Sequence, residues 1–249
     1  MHRLLRDMLF GLSDAHVILE PVSGQLMHPE ALTAFDQLRR DAREAGFDPK
    51  VVSGFRSFER QRTIWNGKAC GRRPLLDSEC RELDVACLSP AEIVFAILRW
   101  SALPGASRHH WGTDFDVIDT AAVAEDYRVQ LTPEEVADEG VFGPFHCWLD
   151  QRIAEGNSYG LFRPYAEDRG GVAPERWHLS YAPRAKEFQR LLTGDLLCGQ
   201  LQLCQLDANG DGDAAGVIFS DTICENMEEI FARFIAVPEE AYPNNISRL

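Results

Sequence analysis

No stretch of this 249-residue chain approaches the ~18 apolar residues of a membrane span. Positive charge is scarce: 25 Lys and Arg face 39 Asp and Glu, a formal net charge of -14. Such a field repels phosphates at long range, which argues against nucleic acid or an anionic membrane surface as a partner. An anionic small substrate stays open where local arginines override the overall field. The seven cysteines contain no Cys-x-x-Cys pair, and their odd number fits reduced, buried thiols better than a disulfide framework. Cys70 and Cys80 flank an arginine-rich loop and are the pair that export would join. An export segment is itself missing. Arg6 and Asp7 interrupt the first apolar run before it reaches ~7–15 residues, and no small-residue cleavage site follows. The expected setting is therefore cytoplasmic. There is no internal repeat and no low-complexity tract. The composition that remains, 45% apolar and 26% charged, is that of an ordinary globular protein with room for one large domain or two small ones.

Helical spacing of Leu32, Phe35, Leu38 and Ala42 predicts a first helix over Leu26–Gly46, with Arg39 and Arg40 on its polar side. Lys50–Ser53 reads as a short buried strand. Ser57 is placed to cap a second helix that runs to about Trp65 and stops at Gly67. Between Gly67 and Asp84 the apolar period is lost, and a surface loop is expected. Ser89-Pro90-Ala91-Glu92 and Thr132-Pro133-Glu134-Glu135 both carry helix-start chemistry: a hydroxyl cap, proline at the first position and glutamate at the third. Phe115–Ile118 and Arg176–Tyr181 read as strands, Phe145–Ala154 as a helix, and the chain after Pro183 as mainly helical. Strands and helices interleave without repeated βαβ units, which makes the class α+β.

The chemistry is concentrated in two places. Ser107-Arg108-His109-His110-Trp111-Gly112-Thr113-Asp114-Phe115-Asp116 offers a histidine and a carboxylate seven residues apart. Pro174-Glu175-Arg176-Trp177-His178 adds a second histidine and a second acid. A hydrolytic zinc site needs three protein ligands and an open position for water. His109, Asp116 and His178 would supply the ligands, with His110 a rival to His109 that spacing cannot dismiss. Gly112 would let the backbone turn where a side chain would crowd the metal. On a strand, Asp114 shares the face of Asp116 and can partner a ligand histidine. Glu175 is expected in the turn after Pro174, within reach of the attacking water as general base. Trp177 and Tyr181 would wall the site or bond to substrate. His2, His16, His28 and His146 are assigned to surface or core roles. A non-haem iron centre also uses two histidines and a carboxylate, but the compact His-x-Asp pairing is absent, and a glutamate beside the last ligand is what a hydrolase needs.

Ser107-x-His109-x-x-Gly112-x-Asp114-x-Asp116, followed by Glu175-x-Trp177-His178-x-x-Tyr181, resembles the VanY-type D-alanyl carboxypeptidases of the M15 (LAS) metallopeptidases. Ser53-Gly54-Phe55-Arg56-Ser57, continuing to Gln61, resembles that family's Ser-Gly-aromatic-Arg-Ser element. The likeness spans roughly residues 28 to 183, with the three motifs in the family's order. It implies a small antiparallel sheet carrying a zinc site and packed by helices, with 1–183 as the peptidase domain and 184–249 as a helical extension packed on it. It implies Zn2+ on His109, Asp116 and His178, Glu175 as catalytic base, and Arg56 on the substrate or the oxyanion. Ser107 and Gln61 would contact the peptide and Trp177 would shape the pocket; Tyr181 and Asp114 complete the substrate-side set. A setting without export points within the family to an L,D-carboxypeptidase that trims D-alanine from recycled murein tetrapeptides. A D,D-carboxypeptidase or dipeptidase, an endopeptidase and an inactive binding module are the alternatives. The partner expected is a peptidoglycan-derived peptide, with no nucleic acid and no membrane. Asp207–Asp213 imitates the start of a calcium loop, but its twelfth position is Ile218 in place of glutamate, so it reads as a polar surface turn.

Overall fold

The computed structural model describes residues 3–206 and 216–243. The Asp207–Asp213 turn lies outside the described residues. A short helix, α1 (Arg3–Leu9), leads into a two-stranded hairpin of β1 (Ile18–Leu19) and β2 (Leu26–Met27). The first long helix, α2, therefore begins at Pro29 rather than at Leu26, and ends at Glu44. Its cap explains the boundary: the His28 ring accepts from the Glu30 amide, and Pro29 sets the first helical position without needing a partner for an N–H. Arg39 is buried on this helix, against expectation, because Glu20 meets it at 2.8 Å.

Strand β3 (Pro49–Ser53) leads to α3 (Phe58–Ala69), capped by the Ser57 hydroxyl on the Arg60 amide. The helix passes through Gly67, where the Arg73 side chain occupies the space a Cβ would take. Ser89 and Glu92 form the expected capping box at the start of α4 (Pro90–Trp100). Further along come β4 (Asp114–Asp119), the short α5 (Pro133–Val136), α6 (Gly143–Ala154), β5 (Leu161–Phe162) and β6 (His178–Tyr181).

The main sheet is antiparallel, in the order β3-β4-β6-β5. Alternation along its strands sorts the side chains by face. Val51, Phe115, Val117 and Leu179 point toward α2 and α6, where they pack with Phe35, Leu38, Phe145 and Leu149. Asp114, Asp116, His178 and Ser180 point the other way. The α+β class and the small sheet expected from the sequence are both present.

Beyond β6 the described residues are mainly helical: α7 (Ala182–Leu191), α8 (Gly194–Leu206), α9 (Ser220–Glu225) and α10 (Met227–Ile230). Leu197, Leu201, Ile223 and Ile230 from these helices share one apolar cluster with Trp65, Ile93, Ile97 and Trp111. Polar ties reinforce it, since the Trp65 indole and the Asn66 amide donate to the carbonyls of Ile218 and Gly216, each at 3.0 Å. Because the cluster is common to both parts, Ile223→Ala should destabilise the whole chain by about 2–5 kcal/mol. Urea unfolding followed by far-UV and tryptophan signals should show one shared transition; an early separate loss of the extension would contradict this.

Candidate active site

Register is what assembles the ligands. Strand pairing sets Asp116 directly opposite His178 and Asp114 directly opposite Ser180. His109 arrives from a single turn over Arg108–Trp111 that ends at Gly112, whose φ is +66°. A side chain at Gly112 would collide with Val17 and with the His28 amide. The glycine is thus required by the hairpin behind it, rather than by crowding at the metal.

The Ser53–Arg56 segment grips this turn through its backbone. His109 Nδ1 lies 2.8 Å from the Gly54 carbonyl, and the Arg56 amide donates to the His109 carbonyl at 3.1 Å. His110 Nδ1 meets the Arg56 carbonyl at 2.5 Å while its Nε2 accepts from the Gly105 amide at 3.1 Å. Both nitrogens of His110 are therefore occupied. His109 keeps Nε2 free and facing Asp116, and the choice between the two histidines falls to His109.

His109, Asp116 and His178 are all buried, each with a ligand atom within 4.8 Å of the others'. His178 Nδ1 stands 3.2 Å from Asp116 Oδ1, and His109 Nε2 stands 3.7 Å from Asp116 Oδ2. Among the described residues Asp116 Oδ1 is a buried oxygen without a hydrogen-bond partner. Two imidazole nitrogens approaching different oxygens of one buried carboxylate, one of those oxygens without a hydrogen bond, fit a divalent cation of the zinc type. The other nitrogen of His178, Nε2, lies 3.1 Å from Asp114 Oδ1. This is the outer hydrogen bond that orients a ligand histidine.

Burial opposes charge on every group here, and local partners decide the outcome. Burial pushes His109 down to about 4, with Asp116 only partly resisting. His178 is also penalised by burial, yet its contacts with Asp114 and Asp116 lift it to about 10. Asp116 stays below the usual carboxylate range because the two histidines and Arg56 outweigh its burial. A cation bound at His178 would compete with a proton for its ring nitrogen. Glu175 goes the other way. Burial raises it to about 7, with the Asp116 charge adding to the effect and His178, Arg56 and Lys68 opposing it. Its Oε2 lies 3.6 Å from His178 Nδ1.

A cleft of ≈ 500 Å³ opens over the triad. Arg56, Ser107, Trp177 and Glu175 all line it. The Ser107 hydroxyl is buried without a hydrogen-bond partner among the described residues, ready for an incoming group. Three substrate-side expectations change. Gln61 is fully buried; its carbonyl accepts from Arg56 at 2.9 Å and its amide donates to Ala102 at 2.7 Å, so it aims Arg56 instead of meeting the peptide. Tyr181 alternates with the site-facing residues of β6 and packs on the opposite face of the sheet. Asp114 is fully buried behind His178, out of a substrate's reach. Sequence reasoning overlooked Tyr165, which lines the cleft with its ring 5.1 Å from that of His178. It also overlooked Arg108 and Lys68, whose spacing carried no signal of its own. Replacing His109, Asp116 or His178 by Ala should abolish stoichiometric metal uptake. His110→Ala should keep the metal while lowering thermal stability, as metal analysis after dialysis and a melting curve would show.

The VanY model, described as D-alanyl-D-alanine carboxypeptidase, matches residues 24–184. An uncharacterized protein of Haemophilus influenzae is 38% identical over 104 residues, 41% of this chain and 71% of that protein. The vancomycin-resistance D,D-pentapeptidase VanY, solved as a mutant in complex with Zn(II), is similar at 22% identity and TM-score 0.46, covering 73% of this chain and 88% of that one. The LdcB LD-carboxypeptidase is similar at 18% identity and TM-score 0.47, covering 88% of this chain and 78% of that one. With about two thirds of its length matched in one continuous block that contains the triad, Glu175 and Arg56, the chain belongs to the VanY family of D-alanyl-D-alanine carboxypeptidases.

Proposed function

We propose that this chain is a zinc carboxypeptidase that releases the terminal D-alanine of murein peptides, with the L,D-tetrapeptide as substrate. One observation carries the carboxypeptidase reading. Arg56 is half-buried near Asp116 and Glu175, pinned by Gln61 at 2.9 Å and Ser53 at 3.1 Å, and forms no ion pair among the described residues. A fixed guanidinium without a carboxylate of its own suits a terminal carboxylate or a developing oxyanion. Zinc, when bound, would supply Lewis acidity and lower the pKa of a water. Glu175 takes the proton from the attacking water and returns it to the leaving amine, a role its position near neutrality serves in both directions. Ser107 offers a further donor to the peptide, while Trp177 and Tyr165 exclude solvent from the triad.

The wall formed by Gln130, Thr132 and Glu134 favours the tetrapeptide. Bonds from its own backbone amide and from Thr132 hold the Glu134 carboxyl below its usual range, so it presents a negative charge to the cleft. Such a wall suits the diamino acid that precedes D-alanine in a tetrapeptide better than the methyl group that precedes it in a pentapeptide. The odd cysteine count without a Cys-x-x-Cys pair supports a reducing compartment, in keeping with peptidoglycan recycling in the cytoplasm, although Cys70, Cys80, Cys87 and Cys147 are exposed rather than buried as expected.

Purified protein given murein tetrapeptide and pentapeptide should release D-alanine faster from the tetrapeptide. The reverse preference would assign the D,D reaction, and cleavage of a C-terminally amidated tetrapeptide would assign an endopeptidase. Glu175→Gln should keep its metal and lose about 10²–10⁴-fold in kcat. In the wild type kcat/KM should rise with pH as Glu175 ionises. A bound cation favours the carboxylate, so the midpoint should fall at or below the metal-free value of about 7.

A further inference from the structure

Arg108 is 2% exposed, and its charge is strongly retained: burial opposes it, but Asp114 more than compensates. Each of its nitrogens therefore needs an acceptor. Nε donates to Asp114 Oδ1 at 2.7 Å and Nη2 to the Ser180 hydroxyl at 2.7 Å, both on the sheet. Nη1 reaches elsewhere, to Gln189 Oε1 at 3.1 Å and the Tyr242 hydroxyl at 3.3 Å. Those two residues lie past the segment shared with the family, which ends at 184.

Gln189 sits on α7, and Tyr242 lies in the stretch that follows α10. They hold each other in place. The Tyr242 hydroxyl donates to Gln189 Oε1 at 3.0 Å, the Gln189 amide donates to the Val237 carbonyl at 2.7 Å, and the Val237 amide donates back to Oε1 at 3.1 Å. The Tyr242 ring is 4% exposed and packs 4.7 Å from the ring of Phe162.

We infer that Tyr242 and Gln189 are positioning residues for the metal centre, acting through Arg108 and Asp114 on the ring of His178. A guanidinium is planar and rigid, so anchoring Nη1 also aims Nε. Asp114 Oδ1, which receives that Nε–H, is the same oxygen that orients His178 Nε2. The C-terminal segment thereby becomes part of the metal site's support, although none of its described residues lines the cleft. The inference rests on reading His109, Asp116 and His178 as a zinc site.

Tyr242→Phe keeps the ring and removes the hydroxyl. Zn2+ affinity, read by competition with a chromophoric chelator, should weaken about 3–10-fold, against the ~10–100-fold typical when a direct partner of a ligand is lost. The double variant Tyr242→Phe/Gln189→Leu should approach the upper figure. For both, kcat should fall while KM stays within error. Glu239→Gln removes an ion pair with Lys186 on the same segment and should leave zinc affinity unchanged. In metal-free protein the ¹H–¹⁵N signal of the His178 ring should move in Tyr242→Phe but not in Glu239→Gln. Lower melting temperatures with wild-type zinc affinity and an unmoved His178 signal would overturn the inference. Should the wild type take up no zinc, the zinc reading falls, and the His178 signal still decides this inference by itself.

Discussion

Asp114, a carboxylate cut off from solvent, receives four hydrogen bonds: Arg108 and His178 at one oxygen, Thr113 and Ser180 at the other. A buried anion is tolerated only when it is paired and saturated, and this one is both. Losing Arg108 would leave it uncompensated, at a cost of about 3–5 kcal/mol for a broken buried pair. The metal triad hangs from this arrangement, because the His178 ring is oriented by the same oxygen that Arg108 holds. The sheet, the turn at Arg108–Trp111 and the C-terminal segment all meet there.

The two adjacent histidines show how backbone hydrogen bonding assigns function. His109 and His110 sit in the same turn and are both buried. The Ser53–Arg56 segment takes one nitrogen of His109 and leaves the other pointing inward, while His110 has both nitrogens engaged. The same segment delivers the Arg56 guanidinium to the cleft. One short stretch after β3 therefore sets a ligand's orientation, silences its neighbour and supplies the cleft's cation.

Charge in this protein is a local matter. A net charge of -14 would repel an anionic peptide at distance. Over the triad, Arg56 and the half-buried Lys68 lie close enough to Glu175 to oppose its protonation, and a bound dication would add to them. Glu134, which also lines the cleft, keeps the acidic sign of the surface. Both signs of charge therefore line one cleft, Arg56 among the cations and Glu134 among the anions.

In the sequence, the choice of His109 and the role of Arg56 came from the family resemblance. Side-chain chemistry at fixed spacing pointed by itself to Asp116, His178, Glu175 and one of the pair His109 and His110, because metal ligation and acid–base work demand particular residue types. Helix starts at Ser57, Ser89 and Thr132 were legible for the same reason: caps are local hydrogen bonds between residues three apart. Other features required tertiary structure. The register that sets Asp116 against His178, the strand face that turns Tyr181 away, and the use of Gln61 to aim Arg56 all depend on pairings between distant segments. Above all, nothing local links Tyr242 to Arg108, 134 residues away. Only folding brings together a buried cation and the distant oxygens that satisfy it, since a guanidinium's need for acceptors specifies their number and geometry but not their place in the chain.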